Sequence, residues 1–229
     1  MSSDIQFTKS IFASVAHRYW NEQWSCEKNV QIYGADALEE GIGSNLRIEI
    51  GWQGDLETTE MILSPALERI KALVDHKCLF SPPLGAEPST LENITCELTR
   101  ELLRVPPLRG RWRSLTVWES EHLGCISLVN EAAIYLVFKL FNLTLDCQIV
   151  VNPETGLGLS RWPLRDRVRE VFFTQDVKNQ DLDLWSRQLF AALAKSIQSL
   201  KRLRIDLGRH EYLLVHSDTI MIRPSKNEA

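Results

Sequence analysis

Alternation of apolar and polar side chains predicts β-strands in two parts of the first half of the chain. Gln6–His17 is rich in β-branched and aromatic residues, and Asn45–Gln53 alternates apolar with polar positions. Ser114–Glu119 and Leu123–Val129 show the same pattern further along the chain. Because the side chains of a half-buried strand point alternately to two faces, we expect two antiparallel strand pairs.

Between these strand pairs, the apolar residues take the spacing of helices. Leu63–Val74 has apolar residues three or four positions apart, and Ser64-Pro65 fits a helix N-terminus. Ser89-Thr-Leu-Glu92 has the form of a capping box, which opens a second helix that stops before Pro106. The predicted order is therefore ββααββ, an α+β fold in which two helices cover one face of an antiparallel sheet.

The second half of the chain repeats this order in a weaker form. A β-rich stretch over Ile134–Val151 is followed by a turn at Asn152–Gly156, two helical faces and an alternating strand. The helical faces and the strand consist of Leu164, Val168 and Val171, of Trp185, Leu189, Leu193, Ile197 and Leu200, and of Leu203, Ile205 and Leu207. Asp176-Val-Lys178 corresponds to Asp75-His-Lys77, and Glu211 to Glu119 unless Glu211 lies past a turn. We therefore predict two tandem units, residues 1–129 and residues 130–229.

The composition is that of a soluble globular protein, with 44% hydrophobic and 24% charged residues. A net charge of −4 gives no electrostatic reason to bind nucleic acid or an anionic membrane. The N-terminus has no basic segment followed by an apolar one, and the apolar run from Ala132 to Leu145 is too short to cross a bilayer. Five widely spaced cysteines form no C-x-x-C pair, so we expect a cytoplasmic protein.

The stretch from Asn29 to Leu46 joins the first two predicted strands and carries a spaced set of residues. The set is Asn29, Tyr33, Gly34, Gly41, Gly43 and Asn45. Its layout resembles the zinc loop of the 6-pyruvoyl-tetrahydropterin synthase and 6-carboxytetrahydropterin synthase family. Three further segments resemble that family in the same order: Asp75-His76-Lys77, Ser89-Thr90-Leu91-Glu92-Asn93 and Val117-Trp118-Glu119. The resemblance implies the tunnelling fold, in which ββααββ units join edge to edge into a β-barrel.

The positions of the family's zinc chemistry differ in this chain. Family members bind zinc through three histidines and use a cysteine as a base. The corresponding positions here are His17, Ile42 and Ser44 for the metal and Asp36 for the base. Because a catalytic zinc site needs three protein ligands, we expect no zinc and no other cofactor.

Asp36, Asp75 and His76 remain as candidate catalytic residues. Asp36 could act as a base, or it could make local hydrogen bonds within its loop. Asp75-His76 could transfer protons near neutral pH, or the pair could satisfy the last carbonyl groups of the first helix.

The resemblance implies a ligand-binding role for four residues. Glu119 matches the family's pterin-anchoring glutamate, and one carboxylate can accept both the amino and the ring N–H groups of a pterin or guanine. A solvent-facing strand residue is the alternative at that position. Glu92 and Asn93 match a position beneath that site, although a capping box explains Glu92 without a ligand. His17 completes the set as the retained histidine of the site.

Three functions follow from this pattern. The leading hypothesis is a pterin- or purine-like ring-binding protein that has lost zinc and the family's lyase activity, with a regulatory or structural role. The second is a metal-free enzyme that acts on a pterin or purine through Asp36, His76 and Glu119. The third is an interaction subunit of a larger complex. Apolar edge strands at Phe7 and Ile11 and at Ile220 and Ile222 also predict a homo-oligomer, a dimer or a tetramer, unless a different protein covers those edges.

Overall fold

The computed structural model of the protein divides into two compact units. Unit 1 contains Met1–Ile134 and Val150–Gly158, and unit 2 contains Tyr135–Ile149 and Leu159–Ala229. The division between residues 129 and 130 stays a prediction. The structure describes residues 6–53, 56–81, 84–85, 88–105, 112–128, 133–140, 143–159, 161–174, 182–197, 199–208, 211–216 and 220–224.

Five strands form the sheet of unit 1. They are β1 (Gln6–His17), β2 (Ile42–Gln53), β3 (Lys77–Cys78), β4 (Trp112–Trp118) and β5 (Leu123–Leu128). Their order across the sheet is β3-β1-β2-β4-β5. The short β3 pairs parallel to β1, and the other pairs are antiparallel. This confirms the predicted α+β class with an antiparallel sheet and its four main strands.

The helices of unit 1 are α1 (Cys26–Tyr33), a 3₁₀ turn (Gly34–Asp36), α2 (Leu56–Val74) and α3 (Leu91–Leu103). Helix α2 packs on β1, and α3 packs on β4 and β5. The core therefore lies between these helices and one face of the sheet, where alternate residues of β2 from Leu46 to Trp52 are fully buried.

Two predicted helix starts in unit 1 are wrong. Helix α2 begins at Leu56, so Pro65 lies inside the helix rather than in its first turn. The N-cap of α3 is Thr90, whose hydroxyl accepts the Asn93 amide, whereas Ser89 was expected in that place. The Ser89 hydroxyl instead accepts a hydrogen bond from the backbone amide of Arg18 at 2.7 Å.

Unit 2 consists of β6 (Ala133–Leu140, of which the first two residues pack with unit 1), β7 (Leu143–Ile149), α4 (Arg161–Thr174), α5 (Leu182–Ser196), β8 (Leu200–Gly208), β9 (Glu211–His216) and β10 (Ile220–Pro224). The strand order is β6-β7-β8-β9-β10. Helix α5 packs on β8 and β9. Apart from the short β3, unit 1 contains two strands, two main helices and two strands in that order, and unit 2 contains two strands, two helices and three strands. The tandem repeat and the barrel stay proposals.

Three details of unit 2 bear on the sequence predictions. Helix α5 ends at Ser196, so Ile197 and Leu200 do not belong to its helical face. Glu211 is the first residue of β9, whereas Glu119 follows β4 directly. The predicted Asp176–Lys178 motif lies outside the described residues. No helix in the described part of the chain combines the length and the apolar character that a membrane span requires.

Candidate functional site

His17 is the last residue of β1 and points into the interior of unit 1. Residues 13, 15 and 17 of this strand are buried, whereas Ser14 on the other face is exposed. His17 is 1% exposed, and its Nε2 lies 3.4 Å from the Oε1 atom of Glu119. The end of β1 therefore brings the His17 imidazole next to the carboxylate of Glu119, which follows β4, two strands away in the sheet.

Glu119 stands at the tight turn between β4 and β5. Its backbone amide donates to the carbonyl of Leu123 at 3.0 Å, which fixes the turn. Its carboxylate accepts the hydroxyl of Tyr19 at 3.4 Å and 3.2 Å to the two oxygens. The side chain keeps 17% of its surface exposed. The carboxylate is thus oriented by Tyr19 and His17 and still has an open side.

Tyr19 is the functional residue that the sequence did not single out. It lies two residues after β1 and is buried. Its ring meets the His17 ring edge-on at 5.5 Å, and its hydroxyl also accepts the backbone amide of Leu91 at 3.4 Å. The sequence pointed to Tyr19 only through the high density of aromatic residues in the first half of the chain.

The residues around His17 do not fit a zinc ion. In the β1–β2 pairing, Ile42 lies opposite His17 and Ser44 lies opposite Val15, so all four side chains share one face. The positions expected to supply two further imidazoles do converge on His17, but Ile42 offers no ligand atom and Ser44 a weak one. Among the described residues, no group of three or more His, Cys, Asp or Glu side chains could hold a metal ion.

Glu92 and Asn93 serve a different contact from the one expected. Glu92 is 0% exposed, and its Oε1 accepts the backbone amide of Gly158 at 3.4 Å. The Asn93 amide group donates to the carbonyl of Pro88 at 2.9 Å. Both side chains form hydrogen bonds with backbone groups. The partner of Glu92 lies in the segment Val150–Gly158, which joins β7 to α4 and packs with unit 1.

We call Val150–Gly158 the docked segment because the rest of unit 1 binds its backbone at four points. The amide of Asn21 donates to the carbonyl of Glu154 at 3.0 Å. The hydroxyl of Tyr33 donates to the carbonyl of Thr155 at 2.9 Å. The hydroxyl of Thr90 donates to the carbonyl of Gly156 at 2.6 Å, and Glu92 accepts the fourth bond. Three of the four residues, Tyr33, Thr90 and Glu92, belong to the motifs that suggested a ligand site.

Gly156 lets the docked segment approach this closely. Its φ of 66° is in the left-handed region that favours glycine. A Cβ atom on Gly156 would lie 2.7 Å from the Asn93 amide nitrogen and 2.9 Å from the Thr90 hydroxyl. The segment therefore fits against α3 because it carries no side chain there.

Tyr33 links the docked segment to the Glu119 cluster. It is buried, and its ring lies 6.1 Å from that of Tyr19 and stacks on Trp24 at 6.2 Å. Burial, and then the nearby Glu92 carboxylate, raise the pKa of the Tyr33 phenol above its ordinary value. The phenol consequently stays a hydrogen-bond donor to Thr155 over the ordinary pH range.

Asn29 organises the loop that carries Trp24. Its side-chain oxygen accepts the backbone amide of Asn21 at 2.8 Å, and its amide group donates to the carbonyls of Asn21 and Ser25, each at 3.1 Å. The side chain is fully buried. This motif residue therefore has a structural role, which its position in the predicted zinc loop did not reveal.

Asp75 and His76 lie at the outer edge of β1. Asp75 Oδ1 accepts the amide of Ser14 at 3.0 Å, and the backbone amide of His76 donates to the carbonyl of Ser14 at 2.6 Å. His76 is 81% exposed and has a φ of 56°, as expected for a residue that ends a helix. The pair is therefore held at the edge of β1 by the backbone of Ser14.

Asp36 closes the 3₁₀ turn after α1. Its side chain is half-buried, and its carbonyl accepts the amide of Leu38 at 2.9 Å. A role for its carboxylate as a base stays a prediction.

Comparison with known proteins finds weak likenesses among solved structures. No family model and no curated protein sequence matches the chain. The structure of Caenorhabditis elegans 6-pyruvoyl tetrahydropterin synthase is similar, with a TM-score of 0.47 and 19% sequence identity, over 59% of this chain and 96% of that chain. A likeness at this level assigns neither function nor site residues.

Proposed function

We propose that this protein binds a flat nitrogen heterocycle of the pterin or purine type at Glu119, without zinc. The supporting observation is the partly exposed Glu119 carboxylate, which Tyr19 and His17 hold from the protein side. The amino and ring N–H groups of such a heterocycle would donate to its open side, and charge-assisted pairs of this kind orient a ring as well as bind it.

A binding role is favoured over catalysis by the positions of the other candidates. The metal-free enzyme would use Asp36, His76 and Glu119 together. His76 lies at the edge of β1 with its imidazole in solvent, and its neighbour Asp75 is engaged by Ser14. We therefore propose that the family's lyase reaction is absent and that the ring-binding protein acts in regulation or as a structural component in the cytoplasm.

Calorimetric titration with pterin and with guanine tests the ring-binding proposal. Glu119→Ala should weaken binding by at least about 2 kcal/mol, roughly 30-fold, because it leaves the ring's N–H donors without an acceptor. The matched control is Glu121→Ala, which removes an exposed carboxylate two residues away in the same turn. Equal binding by the parent and Glu119→Ala, or no binding of either ring by the parent, would reject Glu119 as the anchor.

An interaction subunit is the second candidate function. The docked segment favours it, because Tyr33, Thr90 and Glu92 bind this chain's own backbone rather than an open pocket. In this role unit 1 would be a scaffold that holds a connecting segment, and its partner would be another protein. Purification of the chain from its own cells, followed by native mass spectrometry, separates the two roles by detecting either a small ligand or a protein partner.

We further propose that the chain forms a homo-oligomer, a dimer or a tetramer, through the outer edge of β1. Among the described residues, β3 pairs with this edge at Val15 and Ala16 alone. Phe12 on the exposed face of β1 is 68% exposed. Strand edges left in this state favour pairing with another chain. Sedimentation equilibrium tests the proposal, since a stable monomer at the chain mass of 26.3 kDa would contradict it.

A further inference from the structure

A groove of about 450 Å³ lies between the loop that follows β1 and the docked segment. Trp20, Trp24 and Lys28 line one side, and Pro88, Pro153 and Glu154 are among the residues of the other. Its volume falls within the range of roughly 300–1,000 Å³ typical of small-molecule sites. The groove lies in unit 1 and does not include Glu119, so it is separate from the proposed ring site.

The indole of Trp24 carries a cation within this groove. The Lys28 ammonium lies 3.9 Å from the centre of the Trp24 ring. Within the described part of the chain, Lys28 has no carboxylate at salt-bridge distance, so its main electrostatic contact is the cation–π contact with Trp24. Ammonium groups are attracted to the electron-rich face of tryptophan. Lys28 itself is exposed and can leave the ring at little cost.

The Trp24 ring is a fixed platform. It stacks on the buried Tyr33 ring at an interplanar angle of 25°, and Tyr33 is anchored through its hydroxyl to Thr155. The backbone carbonyl of Trp24 accepts the amide group of Asn29 at 3.4 Å. A preorganised aromatic face loses little conformational entropy when it binds a ligand.

Charge at the groove favours a cationic occupant. The Glu154 carboxylate has no ion-pair partner among the described residues. Glu22, which also lines the groove, is paired with Arg18 and is thereby neutralised. Among the described groove residues, Glu154 is therefore a carboxylate that no ion pair compensates, and the chain as a whole carries −4.

We propose that this groove binds a small organic cation of the methylated-ammonium class. Its head group takes the place of the Lys28 ammonium on Trp24, and Glu154 supplies the counter-charge. A methylated ammonium is more weakly hydrated than the compact ammonium of lysine, so it gives up less solvation on the aromatic face. Lys28 is then an intramolecular competitor for the site. Because the docked segment provides Glu154, the segment must be docked for the site to form.

Choline and its uncharged isostere 3,3-dimethylbutan-1-ol are the probes, followed by calorimetry and tryptophan fluorescence on the full chain. The parent should bind choline at least about tenfold more tightly than the isostere, since the shapes match and the charge does not. Lys28→Ala should tighten choline binding by roughly three- to tenfold by removing the competitor. Trp24→Leu should weaken it by about tenfold or more.

Controls separate the site from general charge effects. Lys195→Ala removes an exposed lysine of α5 in unit 2 and should leave choline binding unchanged. Thermal unfolding checks that Trp24→Leu is folded, and Lys28→Ala alters an exposed side chain whose loss the fold tolerates. Weaker choline binding by Lys28→Ala would overturn the proposal, as that result means that Lys28 supports the site rather than competes for it. Equal affinity for both probes, or no choline binding by either the parent or Lys28→Ala, would overturn it as well.

Discussion

Glu119 and Glu92 are two carboxylates of unit 1 in opposite surroundings. Glu119 is oriented by the side chains of His17 and Tyr19 and keeps an open side. Glu92 is fully buried and accepts a backbone amide of the docked segment. Both stand at positions where the resemblance implies ligand binding. The difference teaches that two residues of one motif set can have different physical roles: Glu92 binds backbone in the interior, whereas the Glu119 carboxylate keeps an open side.

The two environments predict two different kinds of mutational effect. A fully buried carboxylate that satisfies a backbone donor belongs to the fold, and its loss leaves both a cavity and an unsatisfied amide. A partly exposed carboxylate at a turn contributes little to folding because water can replace its partners. Substitutions at Glu92 should therefore change stability, and substitutions at Glu119 should change binding.

The largest expected effect is that of Glu92→Ala on the free energy of unfolding. We expect a loss of about 2–4 kcal/mol, from the unsatisfied Gly158 amide and the cavity at the start of α3. Glu119→Ala should lose at most about 1 kcal/mol. Urea unfolding measures both. Glu97→Ala is the surface control on the same helix, where the carboxylate pairs with Arg100 in solvent.

The comparison between the two carboxylates would fail if the two substitutions had similar effects on stability. A large loss for Glu119→Ala would mean that the His17–Tyr19–Glu119 cluster is part of the core. A negligible loss for Glu92→Ala would mean that the docked segment gains little from its fourth hydrogen bond.

Much of the fold could be predicted from the sequence because burial alternates along strands and recurs every three or four residues along helices. Both rules apply to β2 and to α3, whose apolar faces are fully buried. The start of α2 was misjudged because proline usually marks a first turn. Here burial of Leu63, Leu67 and Ile70 against the sheet carries the helix through Pro65.

The docked segment could not have been predicted from the sequence. Thr90 and Tyr33 donate to backbone carbonyls that lie 66 and 122 residues away in the chain. Every residue carries a backbone carbonyl, so such acceptors leave no residue-specific pattern. Glu119 could be singled out because Val117-Trp118-Glu119 resembles a family motif, and its ligand-binding role stays a proposal.

Gly156→Ala should have the second-largest effect on the free energy of unfolding. It tests the docking of the segment while the Glu92 carboxylate stays intact. The left-handed φ and the crowding against Asn93 and Thr90 should cost about 1–3 kcal/mol and release the segment. Hydrogen exchange at the Gly158 amide should accelerate. The matched control is Gly43→Ala, where an added Cβ meets no atom within 4 Å. Unchanged exchange at Gly158 would show that the segment is held without the close approach of Gly156.

Tyr33→Phe should have the smallest effect at neutral pH and a characteristic dependence on pH. The variant loses the hydrogen bond to Thr155, which should lower the free energy of unfolding by about 1 kcal/mol at pH 7.

Burial and Glu92 raise the pKa of Tyr33 in the folded protein above the ordinary value of 10. The neutral phenol is therefore favoured by folding, and its contribution is complete below pH 10 and is lost as the pH rises above that value. Because all other titrating groups are common to both proteins, the stability difference between parent and Tyr33→Phe should stay constant below pH 10 and shrink as the pH rises above 10. Urea unfolding at several pH values measures it. A difference that stays constant above pH 10 as well would show that the Tyr33 phenol has the same pKa in both states, and that Glu92 does not act on it.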